Sequence, residues 1–112
     1  MLDRDGGLLR GTLDVLILKA LSWGPRHGYA VARWIEGATG DALAVGEGSL
    51  YPALHRLEER GWIAATWGAS ENNRQAKFYA LTRRGRTQLQ VEAASWRRYA
   101  AAVFAALEAP KQ

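Results

Sequence analysis

The sequence predicts a small α+β domain that is mostly α-helical. Apolar residues recur at helical spacing in the first half of the chain, two short β-tolerant stretches follow, and a long helical pattern ends it. With 112 residues, the chain is long enough for one hydrophobic core but not for two. We therefore do not expect a multidomain enzyme.

Three helices are predicted in the first half. The first runs from Thr12 to Leu21, with Thr12 as its N-cap, and is apolar nearly all round. After a Trp-Gly-Pro break, the second runs from about His27 or Gly28 to Ala38, where apolar residues follow a helical period. The third runs from about Gly48 to Arg60. Pro52 is tolerated because it falls in or near the first turn, and Gly61 ends the helix.

A hairpin and a long helix complete the prediction. Trp62 to Trp67 and Lys77 to Leu81 are predicted strands, joined by the polar connection Gly68–Ala76, which should project into solvent. A final helix runs from Thr82 to about Glu108. Three helices followed by a hairpin is the order of a winged helix-turn-helix. We therefore expect a DNA-binding domain at residues 1–81 and a C-terminal dimerisation helix at residues 82–112.

The positive charge of the chain is concentrated in its middle. The chain has 15 Lys and Arg against 11 Asp and Glu, a formal net charge of +4. Residues 51–90 hold seven of these basic residues and only three of the acidic ones. A basic segment in a globular domain is typical of a protein with a polyanionic partner, and nucleic acid is expected before membrane lipid.

Several classes of function are not expected. The chain has no Cys, which removes disulfides, thiolate nucleophiles and Cys-ligated metal sites. Its first residues do not resemble a secretory signal, and no apolar run is long enough to span a bilayer. The two histidines have no carboxylate at metal-ligand spacing, and no catalytic motif is present. We expect a soluble cytoplasmic protein without enzyme activity, cofactor or metal.

The third helix is predicted to have one packing face and one face that reads DNA. At 100° per residue, the packing face consists of Leu50, Ala53, Leu54 and Leu57. The opposite face carries Tyr51, Pro52, His55, Arg56 and Glu59. Its phenol, imidazole and guanidinium are suited to phosphates and to guanine in the major groove, although an ordinary solvated helix face has the same pattern. Ser49 is predicted as a helix cap or a phosphate contact.

Basic residues also mark the hairpin and the start of the last helix. Arg74 lies in the hairpin connection, and Lys77 and Tyr79 follow on the second strand, a pattern that fits a wing against the minor groove or backbone. The Arg83-Arg84-Gly85-Arg86 cluster opposes the helix macrodipole, so another interaction should favour it. Phosphates and the carboxylates of Glu58 or Glu59 are the two candidates.

The last helix carries a heptad seam that a domain of this size cannot bury. A symmetric dimer would bury the seam and supply two half-site readers. The seam consists of Leu89, Ala93, Trp96, Ala100, Val103 and Leu107. Trp96 and the neighbouring Tyr99 either pack in the dimer or line a ligand cavity between protomers.

Three stretches of the sequence resemble the PadR family of bacterial transcriptional regulators. They are GTLDVLILKALSWGPRHGYAVARWI, VGEGSLYPALHRLEERGWI and WGASENNRQAKFYALTRRGRTQL, and the resemblance covers about residues 8 to 90. Members are homodimeric winged-helix proteins that mostly repress transcription, and a single C-terminal helix is typical of the short subfamily. The resemblance implies a recognition helix at residues 49–60.

The resemblance also assigns roles to single residues. It implies that Ser49, Tyr51, His55 and Arg56 of the recognition helix contact DNA. It also implies DNA contacts by Arg74 and Lys77 in the wing, and a contact of Tyr29 with the DNA backbone. In some short members, a Trp that matches Trp96 lines a pore for flat apolar compounds. Two departures are Arg83, where Pro or an acid is common, and the small residues at 100–102, which leave less bulk around a pore.

The sequence thus favours a homodimeric repressor of a palindromic operator, released by a small, flat aromatic ligand or by altered dimer geometry. Two alternatives remain open. One is a winged-helix module that binds an acidic protein through Tyr51 and the wing. The other is a small-molecule sensor with weak direct DNA binding.

Overall fold

The computed structural model of the chain describes residues 10–69 and 72–111. In this part of the chain, four α-helices and three strands alternate with short connections, and a 3₁₀ turn at Leu21–Trp23 follows the first helix. The elements are α1 (Arg10–Ala20), β1 (Arg26–His27), α2 (Gly28–Ala38), α3 (Glu47–Glu59), β2 (Ile63–Ala69), β3 (Gln75–Leu81) and α4 (Arg83–Leu107). The predicted class, a mostly helical winged helix-turn-helix with a long last helix, is confirmed.

The strands form one antiparallel sheet in the order β1-β3-β2. β2 and β3 are the predicted hairpin, and they extend from Ile63↔Leu81 at one end to Ala69↔Gln75 at the other. The hairpin is longer than predicted, so its connection shrinks to residues 70–74, of which 70 and 71 lie outside the described residues. β1 is absent from the predicted elements, because two residues have no alternating pattern to detect.

The core lies where α1, α2 and α3 meet, and the sheet and α4 close it. Its largest fully buried side chains include Ile17, Leu18, Ile35, Leu54 and Leu57. The predicted packing face of α3 is confirmed, because its four apolar residues are all at most 2% exposed. Burial on this scale is what stabilises a short helix, since isolated helices of this length are marginal in water.

Two details at helix termini differ from the prediction. The chain is already helical at Arg10, so Thr12 lies inside α1 and is not its N-cap. Pro52 is the sixth residue of α3 and lies in the second turn, where its missing N–H leaves the Gly48 carbonyl without its usual helical donor. Both misplacements arise because the helices begin one or two residues earlier than their capping signals indicated.

The end of α3 follows the prediction for Gly61. This glycine has φ 77°, the left-handed conformation that glycine adopts without strain. Its N–H donates to the Glu58 carbonyl, and the N–H of Trp62 donates to the Leu57 carbonyl. These are the two bonds of a Schellman motif, which turns the chain from α3 into β2.

The start of α4 lies directly on this turn. Thr82 caps α4 by accepting the Gly85 N–H at 3.0 Å, and its hydroxyl donates to the Gly61 carbonyl at 2.7 Å, with the Trp62 carbonyl also within 3.1 Å. A Cβ at Gly85 would lie only 1.9 Å from the Trp62 carbonyl oxygen. The close approach fixes the direction in which α4 leaves the domain.

The rest of α4 moves progressively out of the core. Leu89 is only 9% exposed and packs within the protomer, whereas residues 101–111 are all exposed. Leu89 therefore packs in its own protomer's core, and its place in the dimer seam stays a prediction. A heptad pattern does not distinguish burial within a chain from burial between chains.

We predict that Gly85→Ala destabilises the protein by about 2 kcal/mol, because the new methyl group must displace backbone rather than a flexible side chain. Gly37→Ala is the matched control. Position 37 has nothing within 4 Å of a new Cβ, so this change should stabilise α2 by up to about 1 kcal/mol. Chemical denaturation measures both, and equal effects of the two variants would contradict the tight docking of α4.

Candidate nucleic-acid interface

Side chains from α2, α3 and the sheet line one open groove with a volume of about 560 Å³. Three of the predicted DNA contacts, Tyr29, Tyr51 and Lys77, come together there although they belong to three different elements. The other lining residues are His27, Gly28, Trp67, Ala76 and Tyr79. We call this the reading groove.

The N-terminus of α2 forms one wall of the reading groove. His27 is the N-cap, and its Nδ1 accepts the Ala30 N–H at 3.2 Å. Its ring stacks beside Tyr29 at 6.5 Å and meets the edge of Phe78 at 5.9 Å. Tyr29 is 61% exposed and accepts a hydrogen bond from Arg33 Nη1 at 3.0 Å. An exposed phenol and a guanidinium at the positive end of a helix are suited to a phosphate.

Tyr51 joins α3 to α2 at the floor of the reading groove. A Cβ at Gly28 would lie 2.9 Å from Tyr51 Cε1, so the absence of a side chain at Gly28 makes room for the ring. Partial burial, and secondarily the charge of Glu47 and the neighbouring Tyr79, raise the pKa of the Tyr51 phenol above its ordinary value. Tyr51 is therefore a neutral hydrogen-bond donor at physiological pH.

The exposed face of α3 continues from the groove. Tyr51, Pro52, His55 and Glu59 are exposed as predicted, and His55 Nε2 lies 3.5 Å from Glu59 Oε2. Ser49 is half-buried at the third position of α3, whose N-cap is Gly46. Gly46, and not Ser49, is therefore the N-cap, and the phosphate contact of Ser49 stays a prediction.

Arg56 has a different environment from the rest of this face. Its Nη2 lies 2.7 Å from Oδ1 of Asp14, which is 8% exposed, and Arg60 Nη1 lies 4.0 Å from the other carboxylate oxygen. The Arg56 side chain is only 25% exposed. It lies at the border of the outer face and turns inward to α1, so its geometry does not support the expected contact with a base.

The hairpin supplies the other wall of the reading groove. Arg74 is exposed at the tip, directly after Asn73, which holds a left-handed φ of 59°. Lys77 is the third residue of β3, away from the tip. Its Nζ lies 3.6 Å from Glu58 Oε1 and 5.4 Å from the centre of the Tyr79 ring. The Glu58 pair thus connects the wing to α3.

Trp67 is a groove residue that the sequence prediction missed. It is 68% exposed and lies opposite Lys77 in the β2–β3 register. A signal was present, because an aromatic residue near the end of a hairpin strand lies beyond the reach of the core. The sequence pattern predicts Trp67 only as the last residue of a strand and assigns it no contact.

Of the two candidate partners of the arginines at the start of α4, phosphates and the carboxylates of Glu58 or Glu59, the structure argues against the carboxylates. Glu58 and Glu59 pair with Lys77 and His55, so neither compensates the cluster. The Arg84 guanidinium instead lies against the end of α3, where a Cβ at Gly61 would be 3.2 Å from Nη1.

Arg86 Nη1 lies 3.5 Å from the Ser22 carbonyl, at the end of the 3₁₀ turn. Cations are favoured at helix C-termini, so Arg84 and Arg86 gain there part of what they lose at the N-terminus of α4. Arg83 has no such contact and remains exposed.

The outer part of α4 carries the residues predicted for dimerisation and ligand binding. Trp96 packs partly against the core, and Tyr99, which is 61% exposed, meets it edge-on at 5.8 Å. A shallow cleft of about 310 Å³ is lined by Gly11, Thr12, Glu92, Ser95, Trp96 and Tyr99. Beyond it, Val103, Phe104 and Leu107 are exposed apolar side chains. Ala93 and Ala100, one turn before and one turn after Trp96, are half-buried.

The described part of the chain has neither a cluster of metal ligands nor a membrane-spanning helix. The described residues contain no group of three or more potential metal ligands. Within 10–69 and 72–111, no helix combines the length and the apolar character that crossing a bilayer requires.

Comparison with known proteins connects this geometry to gene regulation. The model of the family described as "Transcriptional regulator PadR-like family" matches residues 17–91. Protein X of Lysinibacillus sphaericus is 29% identical over 89 residues, or 80% of this chain and 82% of that protein. A 37.1 kDa protein of transposon Tn4556 from Streptomyces fradiae is 43% identical over 91 residues, or 81% of this chain, but the match spans only 25% of that relative's length.

Solved structures share the fold over most of their length. A PadR-like transcriptional regulator from Bacillus cereus has a TM-score of 0.77 at 29% identity, with 91% of this chain and 97% of that chain covered. A PadR family transcriptional regulator from Eggerthella lenta has a TM-score of 0.74 at 30% identity, covering 90% and 86%. A transcriptional regulator from Clostridium thermocellum has a TM-score of 0.76 at 28% identity, covering 84% and 91%.

The environment of Tyr51 can be tested by titration. We predict a pKa above about 10, the ordinary tyrosine value, because burial disfavours the phenolate. Since the pKa of Tyr51 is raised in the folded protein, burial of the neutral phenol contributes fully to stability at a pH below the pKa of the unfolded chain. This contribution is lost as the pH rises through the pKa of the folded protein. Carbon-13 NMR of labelled tyrosine measures the pKa. Glu47→Gln should lower it only in part, and a Tyr51 pKa at or below about 10 would contradict the packing against Gly28.

Proposed function

The chain belongs to the PadR-like family of transcriptional regulators, and from this membership we propose that it acts in the cytoplasm as a homodimer that binds a palindromic operator and represses transcription. The observation that carries the proposal is the reading groove. It joins an N-terminal helix turn, the exposed face of α3 and the inner face of a wing into one surface. A winged helix-turn-helix uses these same three parts on duplex DNA.

Each part has a chemistry that fits its proposed position on DNA. Tyr51 and His55 offer hydrogen bonds from the outer face of α3 to base edges in the major groove. Tyr29, with Arg33 bound to its hydroxyl, faces a backbone phosphate. Arg74 at the wing tip and Lys77 behind it add positive charge beside the backbone or minor groove.

Dimerisation is proposed through the exposed end of α4. Val103, Phe104 and Leu107 form an apolar stretch that the protomer leaves in solvent. A second copy would cover it and would place two α3 helices on successive major grooves, about 34 Å apart. With Leu89 assigned to the core, the proposed seam runs from Ala93 to Leu107.

A small-molecule effector is a second proposal, supported by the cleft beside Trp96 and Tyr99. A planar aromatic compound bound between protomers would change the spacing of the two α3 helices and release the DNA. Quenching of tryptophan fluorescence by such a compound, lost in Trp96→Ala and retained in Trp67→Ala, is the expected result. Identical quenching in both variants would assign Trp96 a packing role only.

We predict that Arg74→Ala weakens binding to duplex DNA from the gene's own upstream region by about five- to tenfold at 0.1 M salt, because one phosphate contact is lost. The loss should be similar for all sequences, and the slope of log affinity against log salt should fall by about one per bound protomer. Arg83→Ala is the matched control, since Arg83 is exposed at the far end of the hairpin. Salt-independent binding, or equal losses in both variants, would overturn the proposal.

The same variants test the winged-helix module for acidic proteins. That alternative requires comparable affinity for duplex DNA and for an acidic peptide at the reading groove. A strong preference for duplex DNA would exclude it.

For the dimer, we predict that Leu107→Glu raises the dimer dissociation constant by roughly a hundredfold or more, because it places like charges in an apolar contact. Leu107 is 72% exposed in the protomer, so folding should be unaffected. Ala105→Glu, half a helical turn away, is the control. Sedimentation velocity distinguishes the two, and an unchanged dimer in Leu107→Glu would place the interface elsewhere.

A further inference from the structure

A second exposed surface lies at the end of the sheet opposite the wing tip. β1 runs antiparallel to β3, with Arg26 opposite Tyr79, so the residues before β1 lie beside the end of β3. Seven-residue strands place this surface roughly 20 Å from the wing tip. We call it the base patch, and it consists of Lys19, Trp23, Trp34, Arg83 and Arg86.

Trp23 is the centre of the base patch. Its side chain is 61% exposed. Trp34 packs against it with ring centres 5.3 Å apart at 49°, and Lys19 Nζ lies 4.6 Å from the ring centre. These two neighbours hold an exposed indole in a fixed orientation, so a partner can bind it with little loss of side-chain freedom.

Among the residues that the structure describes, no carboxylate pairs with the cations around Trp23. Arg86 Nη1 lies 3.5 Å from the carbonyl of Ser22, the residue next to Trp23, and Arg83 is one turn earlier on the same side of α4. Lys19, Arg83 and Arg86 form no ion pair with any residue that the structure describes. Arg83 also opposes the dipole of its own helix, and no described residue provides a compensating ion pair. Negative charge on a partner would relieve that cost.

We propose that the base patch binds an acidic peptide segment of another protein, in which carboxylates alternate with apolar side chains. The carboxylates complement the three cations, and the apolar side chains cover the Trp23 indole. Tryptophan and arginine are the residues that most often dominate protein interfaces. The patch is remote from the reading groove, so this binding adds to the proposed DNA function and does not depend on it.

The geometry favours a peptide over single-stranded nucleic acid. Base stacking requires a free, parallel ring face. The Trp34 ring centre and Lys19 Nζ already lie 5.3 Å and 4.6 Å from the centre of the Trp23 ring, so part of the ring is covered before a partner binds. A partly covered ring still contacts apolar side chains but offers less area to a stacked base.

The test uses the full chain and three fluorescently labelled probes. They are a peptide in which glutamate alternates with leucine, its counterpart with glutamine for glutamate, and oligothymidine of the same length. Fluorescence anisotropy gives the dissociation constants. The glutamate peptide should bind about tenfold more tightly than the glutamine peptide, because the attraction is electrostatic.

Variants then locate the site. Trp23→Ala, and separately Arg83→Gln combined with Arg86→Gln, should each weaken binding of the glutamate peptide about tenfold. Trp67→Ala and Lys77→Gln in the reading groove should leave it unchanged. Equal binding of both peptides, tighter binding of oligothymidine, or a loss confined to the reading-groove variants would overturn the proposal. A loss of duplex DNA binding in Trp67→Ala or Lys77→Gln bears only on the proposed DNA function.

Discussion

The buried carboxylate of Asp14 determines how α3 lies on the rest of the domain. It is 8% exposed on α1, and it receives Arg56 of α3 at 2.7 Å and, at 4.0 Å, the half-exposed Arg60 that directly follows α3. A carboxylate in this environment is costly unless it is paired, so α3 is favoured in the rotation that brings the Arg56 guanidinium inward. The same rotation turns Tyr51, Pro52, His55 and Glu59 to the solvent.

Two further contacts carry that orientation to the other walls of the reading groove. On one side, Tyr51 packs across the bare backbone of Gly28 and fixes the distance between α3 and the start of α2. On the other side, Glu58 pairs with Lys77 and connects α3 to the wing. The binding surface is thus a consequence of how three elements pack, and no single element contains it. The same logic explains why Arg56, the most obvious base reader by residue type, serves the scaffold instead.

The sequence predicted the parts of this structure that depend on local patterns. Helical periodicity placed α2 and α4 to within a residue of their observed ends. Gly61 marked the end of α3, because the left-handed conformation that often ends a helix is most easily adopted by glycine. Alternation found the hairpin but stopped short of its tip, where small and polar residues weaken the pattern. β1 could not be predicted, because it exists only through its pairing with β3.

What the sequence could not predict depends on contacts between distant residues. Asp14 and Arg56 are 42 positions apart, and no spacing rule connects them. The heptad pattern of α4 correctly indicated a continuous apolar stripe but not that Leu89 belongs to the protomer's own core. Of the residues that line the reading groove, the sequence prediction named Tyr29, Tyr51 and Lys77 as DNA contacts, whereas Trp67 lies there through its register opposite Lys77.

The central claim is that duplex DNA binds across α3, the start of α2 and the wing as one surface. Nitrogen-15 NMR of the full chain, titrated with a short duplex from the region upstream of its gene, tests this most directly. The account predicts that the largest chemical-shift changes cluster at Tyr29, Tyr51, His55, Arg74 and Lys77, with Trp23 and Arg83 unaffected. Changes concentrated on the base patch or on α4, with the reading groove unmoved, would contradict it.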